Sequence, residues 1–355
     1  FRVLFFGLDQ FSCKVFDRLR ANPDIWESIT VATKADRYTG RHRDPSSSAP
    51  LKTLASTLDF PILTIPESSK DFHSWTLPAP FGTVTSPPDP ANILITASFG
   101  RILPGRILSH FAPTRCLNVH PSSLPAYRGP APIQRVIMNG EIETAVSIIE
   151  MTEYIPKAKR AVLGKDDGGI DGGDIWAMER APIPANATFP SLRDALAQMG
   201  GDLLVSVLRG MLTGVLTCGA PQTPPSPATP RANKILTSDA FIDFTSLSAA
   251  EIIRRHRAIS HQEPLVAFLS SKLRVQFHEP SVRDMPSPPF APSSGWLDKK
   301  TGCLLVVCHD GSVLAVPKLK SDSRALLMAK EWWNGAPRTI DEETGQILVR
   351  FVKPS

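Results

Sequence analysis

The chain has 355 residues, of which 42% are hydrophobic and 21% are charged, as in an ordinary water-soluble protein of about two domains. No apolar run approaches the roughly 20 residues that span a bilayer, which excludes a membrane-spanning protein. The five cysteines form no CxxC pair or Cys/His cluster, which argues against a disulfide framework or a structural zinc site. The net charge of +5 permits an anionic partner without requiring one.

Buried strands and amphipathic helices alternate through the first part of the chain. The apolar run at 2–6 is closed by Gly7, and residues 11–20 carry apolar side chains at helical spacing. We predict further strands at 28–33, 61–65, 92–99 and 144–151, with one ending at His120, and helices at 51–58, 133–139 and 190–213, the last being one interrupted helix or a pair. This order predicts an α/β fold with a Rossmann-like, mostly parallel sheet and helices on both faces.

Proline-rich segments divide the chain. Residues 66–90 contain six prolines and little periodicity, so we predict a surface excursion there. Residues 217–234 contain five prolines and no apolar periodicity, which is typical of an interdomain linker. Short strand-like runs separated by turn residues follow and predict a smaller β-rich domain. The predicted domains are therefore 1–216 and 234–355, joined by a linker at 217–233.

The stretch CLNVHPSSLPAYRGPAPIQ, residues 116–134, contains the first candidate site. Asn118 and His120 lie at the end of an apolar strand, and their spacing of two points both side chains the same way. Ligands of open parallel sheets bind beyond the carboxyl ends of the strands. Taken singly, however, Asn118 is typical of a turn former, His120 of a hydrogen-bonded structural residue, and Asp171, between glycines, of an Asp-Gly turn.

The pattern N-V-H-x-S-x-L-P-x-x-R-G, followed by A-P-I-Q, resembles the folate-dependent formyltransferases. The resemblance extends over nearly the whole chain and is closest to the members that act on initiator methionyl-tRNA. It is carried by further segments in the same order: RVLFFGLDQFS at 2–12, DRYTGR at 36–41, FGRILP at 99–104, GIDGGDI at 169–175 and ANKILTSDAFIDFTSLSAAEI at 232–252.

The resemblance implies formyl transfer from N10-formyltetrahydrofolate to an amine, without a metal, through a tetrahedral intermediate that carries an oxyanion. By resemblance Asn118 and His120 hold that oxyanion, and Asp171 manages the proton. A carboxylate near the imidazole would favour its protonated form. Arg128 and Gln134 are expected to bind substrate or to fix the loop, and the two roles stay open. The folate ring is expected on the loop of Ser122, Ser123, Leu124 and Pro125.

The chain departs from the family pattern at several positions. Pro121 and Ser123 stand where a small residue and a leucine are common, and Ala145 replaces a usual glycine. Residues 152–169 form a long insertion with four basic side chains, directly before Asp171. An insertion of this kind is usually a benign surface loop. The alternative is that the insertion changes access to the site or contacts RNA. The insertion also makes the assignment of Asp171 to the catalytic site less direct.

Three features favour a tRNA substrate. Residues 34–43 carry five basic side chains and one acidic one, with Arg37, Arg41 and Arg43 as candidate tRNA contacts. Residues 231–355 hold 17 basic and 13 acidic side chains (net +4), against 22 and 21 (net +1) elsewhere. The β-rich domain would suit an OB-like nucleic-acid module. Its candidate tRNA contacts are Lys234, Lys318 and Lys320.

Two other functions remain open from the sequence. One is a formyltransferase for a sugar or nucleotide amine, and the other is a catalytically silent folate- or RNA-binding homologue. We expect a monomer with no membrane association. The start at Phe1 and the Pro/Ser-rich segments favour an organellar enzyme that has lost a targeting segment, in the mitochondrial matrix, with the bacterial cytoplasm as the alternative.

Overall fold

A computed structural model describes residues 1–39, 44–83, 85–153, 169–286, 288–322 and 324–353, without the side chains of 37–39 and 44–47. The chain divides into two compact units. Unit 1 comprises Phe1–Ile133, Ile142–Ile183 and Pro190–Asn233, and unit 2 comprises Gln134–Glu141, Pro184–Phe189 and Lys234–Ser355. Residues 217–233, predicted as the linker, thus belong to unit 1 by their contacts.

The described residues of unit 1 form nine strands. They are β1 Arg2–Gly7, β2 Ser28–Lys34, β3 Arg37–Thr39, β4 Asp44–Ser47, β5 Ile62–Ile65, β6 Asn92–Ala97, β7 Cys116–His120, β8 Glu143–Glu150 and β9 Ile175–Pro182. Seven of them form one sheet in the order β5-β2-β1-β6-β7-β8-β9, while β3 and β4 pair as a separate hairpin. In this order the neighbours from β5 to β7 pair in parallel, and β8 pairs antiparallel with both β7 and β9. The predicted mostly parallel Rossmann-like sheet is confirmed.

The helices predicted at 11–20, 51–58, 133–139 and 190–213 are present, and other helices lie between and after them. In chain order the α-helices of the described residues are α1 Gln10–Arg20, α2 Pro50–Thr57, α3 Ser69–Ser74, α4 Gly105–Leu108, α5 Pro132–Asn139, α6 Phe189–Leu212, α7 Ala249–Ile259 and α8 Ala329–Asn334. Helix α6 is one continuous helix across Gly200 and Gly201. A Cβ on Gly200 would lie 2.7 Å from Val119, so the glycine permits close packing of α6 on β7 and does not break the helix.

The segment at 66–90 is not simply the surface excursion that we predicted. It forms α3 and buries Phe72, Leu77 and Phe81 in the core of unit 1. The ring of Phe81 lies 6.0 Å from that of Phe111. Isolated aromatic anchors between prolines produce no periodic pattern, so the sequence pattern did not reveal this buried part.

Unit 2 is built on an antiparallel sheet, and the predicted β-rich C-terminal domain is confirmed. Its strands are β10 Leu265–Leu269, β11 Arg274–His278, β12 Ser281–Arg283, β13 Ser294–Leu297, β14 Leu304–Val307, β15 Val313–Val316, β16 Lys318–Ser321, β17 Leu327–Met328, β18 Thr339–Ile340 and β19 Ile347–Val352. Their order is β12-β15-β14-β13-β19-β10-β11-β16-β17, with β18 paired to β19. The apolar run at 313–319 forms two strands because Pro317 lies between them.

Candidate active site

The carboxyl ends of β6 and β7 carry the polar side chains of the candidate site. Asn118 lies opposite Thr96 in the parallel register, and His120 is the last residue of β7. Strand β6 is buried along its whole length, which fixes the position of Thr96 beside the amide. The structure brings Asp171 to the same place, so that Asn118, His120 and Asp171 form one cluster.

The orientation of the Asn118 carboxamide follows from its neighbours. The Thr96 hydroxyl donates to Oδ1 of Asn118 at 2.7 Å. The amide Nδ2 therefore faces Asp171, whose Oδ1 lies 3.5 Å away. That distance is long for a hydrogen bond, so the amide retains the capacity to donate to a substrate oxygen.

His120 is held by one ring nitrogen and faces the carboxylate with the other. Nε2 lies 3.1 Å from the backbone carbonyl of Tyr127, which can only accept, so we assign a proton to Nε2. Nδ1 lies 3.7 Å from Oδ2 of Asp171, and the two side chains are only 5% and 13% exposed. Burial of an imidazole against a carboxylate strengthens their electrostatic interaction.

Asp171 is fixed by backbone contacts. Its φ of 57° is in the left-handed region, which Asp tolerates better than most residues. The N–H of Gly129 donates to Oδ2 at 2.9 Å. The side chain of Gln222 donates to the backbone carbonyls of Asp171 at 2.8 Å and Gly173 at 2.7 Å. The carboxylate is therefore aimed at Asn118 and His120 by contacts on both sides.

The loop at 122–125 follows β7 directly. The Ser122 hydroxyl is buried and donates to the carbonyl of Ala126 at 2.9 Å, so it stabilises the loop itself. Leu124 is buried, while Ser123 and Pro125 are half-exposed. Backbone groups and the half-exposed members of the loop are thus the parts that a ligand can reach.

Arg128 and Gln222 were not assigned to the cluster from the sequence. Arg128 is 8% exposed, and its Nε and Nη2 donate to Oε1 of Gln222 at 3.0 and 2.5 Å. Burial lowers the pKa of Arg128 below its ordinary value, while the Asp171 carboxylate acts in the opposite direction. Neither Gln222 nor Thr96 carries a sequence signal, because one lies in a proline-rich segment and the other within an apolar strand.

A second carboxylate lies close to residues 169–175, which we call the aspartate loop because they carry Asp171. Glu150 ends β8, and its backbone N–H donates to the carbonyl of Asp174 at 2.8 Å. Burial, and after it the Asp174 carboxylate, raises the pKa of Glu150 above its ordinary value. The end of β8 therefore favours a proton on this side chain.

The structure describes only some of the basic residues that we predicted to contact tRNA. Arg41 and Arg43 lie outside the described residues, as do 154–168 of the insertion, and the side chain of Arg37 is not described. Lys234 is exposed. Lys318 and Lys320 lie on one face of β16, where Lys318 pairs with Glu279 at 2.7 Å. Burial, and after it the cation of Lys320, lowers the pKa of His278, whereas the Glu279 carboxylate acts in the opposite direction.

No group of three His, Cys, Asp or Glu side chains among the described residues is placed to hold a metal ion. None of the helices within the described ranges is long and apolar enough to cross a membrane.

Comparison with known proteins agrees with this architecture. Residues 1–158 match the formyl transferase family, and residues 234–337 match the formyl transferase C-terminal domain. Among solved structures, an N-formyltransferase from Helicobacter canadensis, solved with folinic acid and dTDP-3-aminofucose, superposes with a TM-score of 0.57 at 16% identity, covering 88% of this chain and 98% of its own. HypX from Aquifex aeolicus, solved with tetrahydrofolic acid, gives 0.56 at 15% identity, covering 93% and 46%. The fold is that of formyl transferases.

Curated relatives narrow the class. A methionyl-tRNA formyltransferase from Janthinobacterium is 31% identical over 334 residues, which are 94% of this chain and 97% of that protein. The enzyme of the same name from Delftia acidovorans is 34% identical over 73% of this chain and 72% of its own length. The chain belongs to the methionyl-tRNA formyltransferase family.

Proposed function

We propose that this protein transfers the formyl group of N10-formyltetrahydrofolate to the α-amino group of initiator methionyl-tRNA, giving formylmethionyl-tRNA for translation initiation. The observation that carries the proposal is the convergence of Asn118, His120 and Asp171 at the end of β7, in a chain of this family. An amide donor, an imidazole and a carboxylate are the groups that acyl transfer to an amine requires.

The reaction begins when the amine attacks the formyl carbon. A bond forms between the amino nitrogen and that carbon, and the carbonyl oxygen becomes an oxyanion. Nδ2 of Asn118 donates to this oxygen, and the His120 ring faces it with Nδ1, which can donate when it carries a proton. Both atoms lie beyond strong hydrogen-bond distance of Asp171, at 3.5 and 3.7 Å, so a substrate oxygen can take both bonds. One such donor contributes about 3 to 4 kcal/mol to the transition state.

Proton transfer completes the exchange. The attacking amine becomes cationic when its new bond forms, and it must lose one proton. Asp171 accepts that proton, directly or through a water, while Gly129 keeps the carboxylate aimed at the cluster. The bond from the formyl carbon to N10 then breaks, and N10 gains a proton. Proton transfer of this kind typically contributes a factor of about 10² to 10⁴.

The folate and the tRNA occupy different surfaces in this proposal. The folate ring lies on the loop formed by residues 122–125, next to the cluster. The tRNA backbone contacts Arg37, Arg41 and Arg43 of unit 1 and Lys234, Lys318 and Lys320 of unit 2. The position of Lys318 and Lys320 on one face of β16 supports the second set. The proposed domains remain 1–216, a linker at 217–233, and 234–355.

A single assay tests the function. Purified protein is incubated with formyl-labelled N10-formyltetrahydrofolate and, in parallel, initiator methionyl-tRNA, elongator methionyl-tRNA or a dTDP-linked amino sugar. We expect label on initiator methionyl-tRNA, and loss of that label with Asp171→Asn. Transfer to the amino sugar alone would establish a sugar formyltransferase. Binding of folate and tRNA without any transfer would establish a silent homologue.

We also propose a monomer located in the mitochondrial matrix, with the bacterial cytoplasm as the alternative. The proline-rich segments at 66–90 and 217–233 support a divergent organellar enzyme, whereas the relatives named above come from bacteria. Sedimentation of the purified protein tests the monomer. Fractionation of cells that express the full gene product tests the compartment, and recovery outside mitochondria would contradict the first choice.

A further inference from the structure

The side chain of Gln222 is fully engaged by hydrogen bonds inside unit 1. Its Nε2 donates to the carbonyls of Asp171 and Gly173, and its Oε1 accepts from Nε and Nη2 of Arg128. A carboxamide has two N–H donors and two acceptor lone pairs, so all four positions are used. The orientation of the amide is unambiguous, since carbonyl oxygens only accept and a guanidinium only donates.

These bonds close a ring around the aspartate loop. Arg128 is followed by Gly129, whose N–H donates to the carboxylate of Asp171 at 2.9 Å. Gln222 therefore joins the backbone of Asp171 to the segment that aims its side chain. The left-handed conformation of Asp171, with φ of 57°, is unfavourable for a residue other than glycine and requires such support from its surroundings.

The segment that carries Gln222 is itself anchored to unit 1. Ala220 and Ile175 exchange backbone hydrogen bonds of 2.8 Å in both directions. Farther along, the carbonyl of Pro230 accepts from the Tyr127 N–H at 2.7 Å. With anchors on both sides, Gln222 is held in place and can position the loop.

We propose that Gln222 is a positioning residue for formyl transfer, acting through the carboxylate of Asp171. The expected effect on the rate of formyl transfer rests on the proposed function. Gln222 has two effects: it holds the backbone carbonyls of Asp171 and Gly173 by one bond each, and it accepts both bonds from the guanidinium of Arg128. Without it, the buried guanidinium is attracted to the Asp171 carboxylate, which then turns away from His120.

Two substitutions remove these bonds to different extents. Gln222→Ala removes all four bonds. Gln222→Glu keeps the shape and the acceptor for Arg128, but it loses both donors and places a carboxylate against two carbonyl oxygens. We expect either change to lower kcat about 10- to 100-fold, a size within the usual range of coupling between contacting residues, with KM for folate and tRNA changed by less than about twofold. Gln346→Ala, at an exposed position in unit 2, is the matched control.

A double-mutant cycle distinguishes positioning from general damage to the fold. In an Asp171→Asn background the backbone carbonyls remain, but the carboxylate is gone. If Gln222 acts through that carboxylate, Gln222→Ala should change the residual rate there by less than about twofold. An equal loss in both backgrounds, or an unchanged kcat in the single variant, would overturn the proposal.

A readout without activity tests the geometry separately. The Gly129 N–H is bonded to Asp171, so its hydrogen exchange reports whether the carboxylate stays in place. We expect faster exchange at Gly129 and at 171–173 in Gln222→Ala, with an unchanged Tm. If the wild-type protein transfers no formyl group to methionyl-tRNA, the proposed function fails, and exchange still decides the positioning role. Unchanged exchange at Gly129 would reject it.

Discussion

Nδ1 of His120 lies 3.7 Å from Oδ2 of Asp171, although the two residues belong to distant parts of the chain. The same carboxylate oxygen accepts the N–H of Gly129 at 2.9 Å. The imidazole is therefore paired with a carboxylate that is already held by the backbone. A fixed pair of this kind lowers the reorganisation needed during proton transfer.

Asp171→Asn should lower kcat for formyl transfer by about 10² to 10⁴, because the amide cannot accept the amine proton. Single-turnover measurements with saturating folate and initiator methionyl-tRNA isolate this step. Asp174→Asn, three residues along the same loop, is the control and should stay within about threefold of the wild type. Equal losses of kcat in the two variants would show that the loop requires both charges. Asp171 would then have no specific role in accepting the amine proton.

Asn118→Ala should reduce kcat by about 10² to 10³, since it removes a donor to the oxyanion. Thr96→Val tests the orientation of the same amide, because the Thr96 hydroxyl donates to Oδ1 at 2.7 Å. We expect a smaller loss for Thr96→Val, about 3- to 10-fold, the size of one ordinary hydrogen bond. Steady-state kinetics of both variants check this order, and a larger effect at Thr96 than at Asn118 would contradict it.

Much of the sheet was predictable from the sequence, because buried parallel strands are continuous apolar runs. The run at 92–97 shows this most clearly, since all six of its residues are buried in β6. Asn118 and His120 were predictable for a related reason: polar residues at the end of such a run interrupt an otherwise apolar pattern.

The contacts that support the site were not predictable in the same way. Gln222 lies in a segment without periodicity, and its four bonds depend on how residues 220–232 cross unit 1. The role of Gly129 depends on its N–H, which no side-chain pattern reveals. Tertiary contacts of this kind arise from chain geometry, whereas periodicity reports only which face of a local element is buried.

The stability of the protein should depend on pH through Glu150. Its pKa is raised by burial and by Asp174, so the folded chain keeps the proton to higher pH than the unfolded chain. Its stabilising contribution is therefore complete below the ordinary value of 4.5 and is lost as pH rises through the folded pKa. Glu150→Gln cannot ionise, so its free energy of unfolding should improve relative to the wild type as pH rises.

Urea unfolding of both proteins between pH 4 and 8 measures this difference. Asp174→Asn removes the neighbouring carboxylate and should lower the pKa of Glu150, which narrows the pH range of the effect. A difference between Glu150→Gln and the wild type that is constant with pH would contradict the prediction.

Lys320→Ala should raise the pKa of His278. Burial contributes most to the lowered value, and the cation of Lys320 contributes next. Removing that cation leaves the burial effect in place, so the pKa should rise only part of the way to its ordinary value. NMR titration of the His278 ring measures the change, and Lys300→Ala, on an exposed turn of unit 2, is the control.

The same titration tests the proposed tRNA surface. Phosphates bound near Lys318 and Lys320 would add negative potential, so tRNA should raise the pKa of His278 in the wild-type protein. Binding of tRNA to Lys320→Ala should also show a shallower dependence on salt, with a slope smaller by about one for each phosphate that the protein no longer neutralises. An unchanged His278 titration in the presence of bound tRNA would place the RNA elsewhere on the protein.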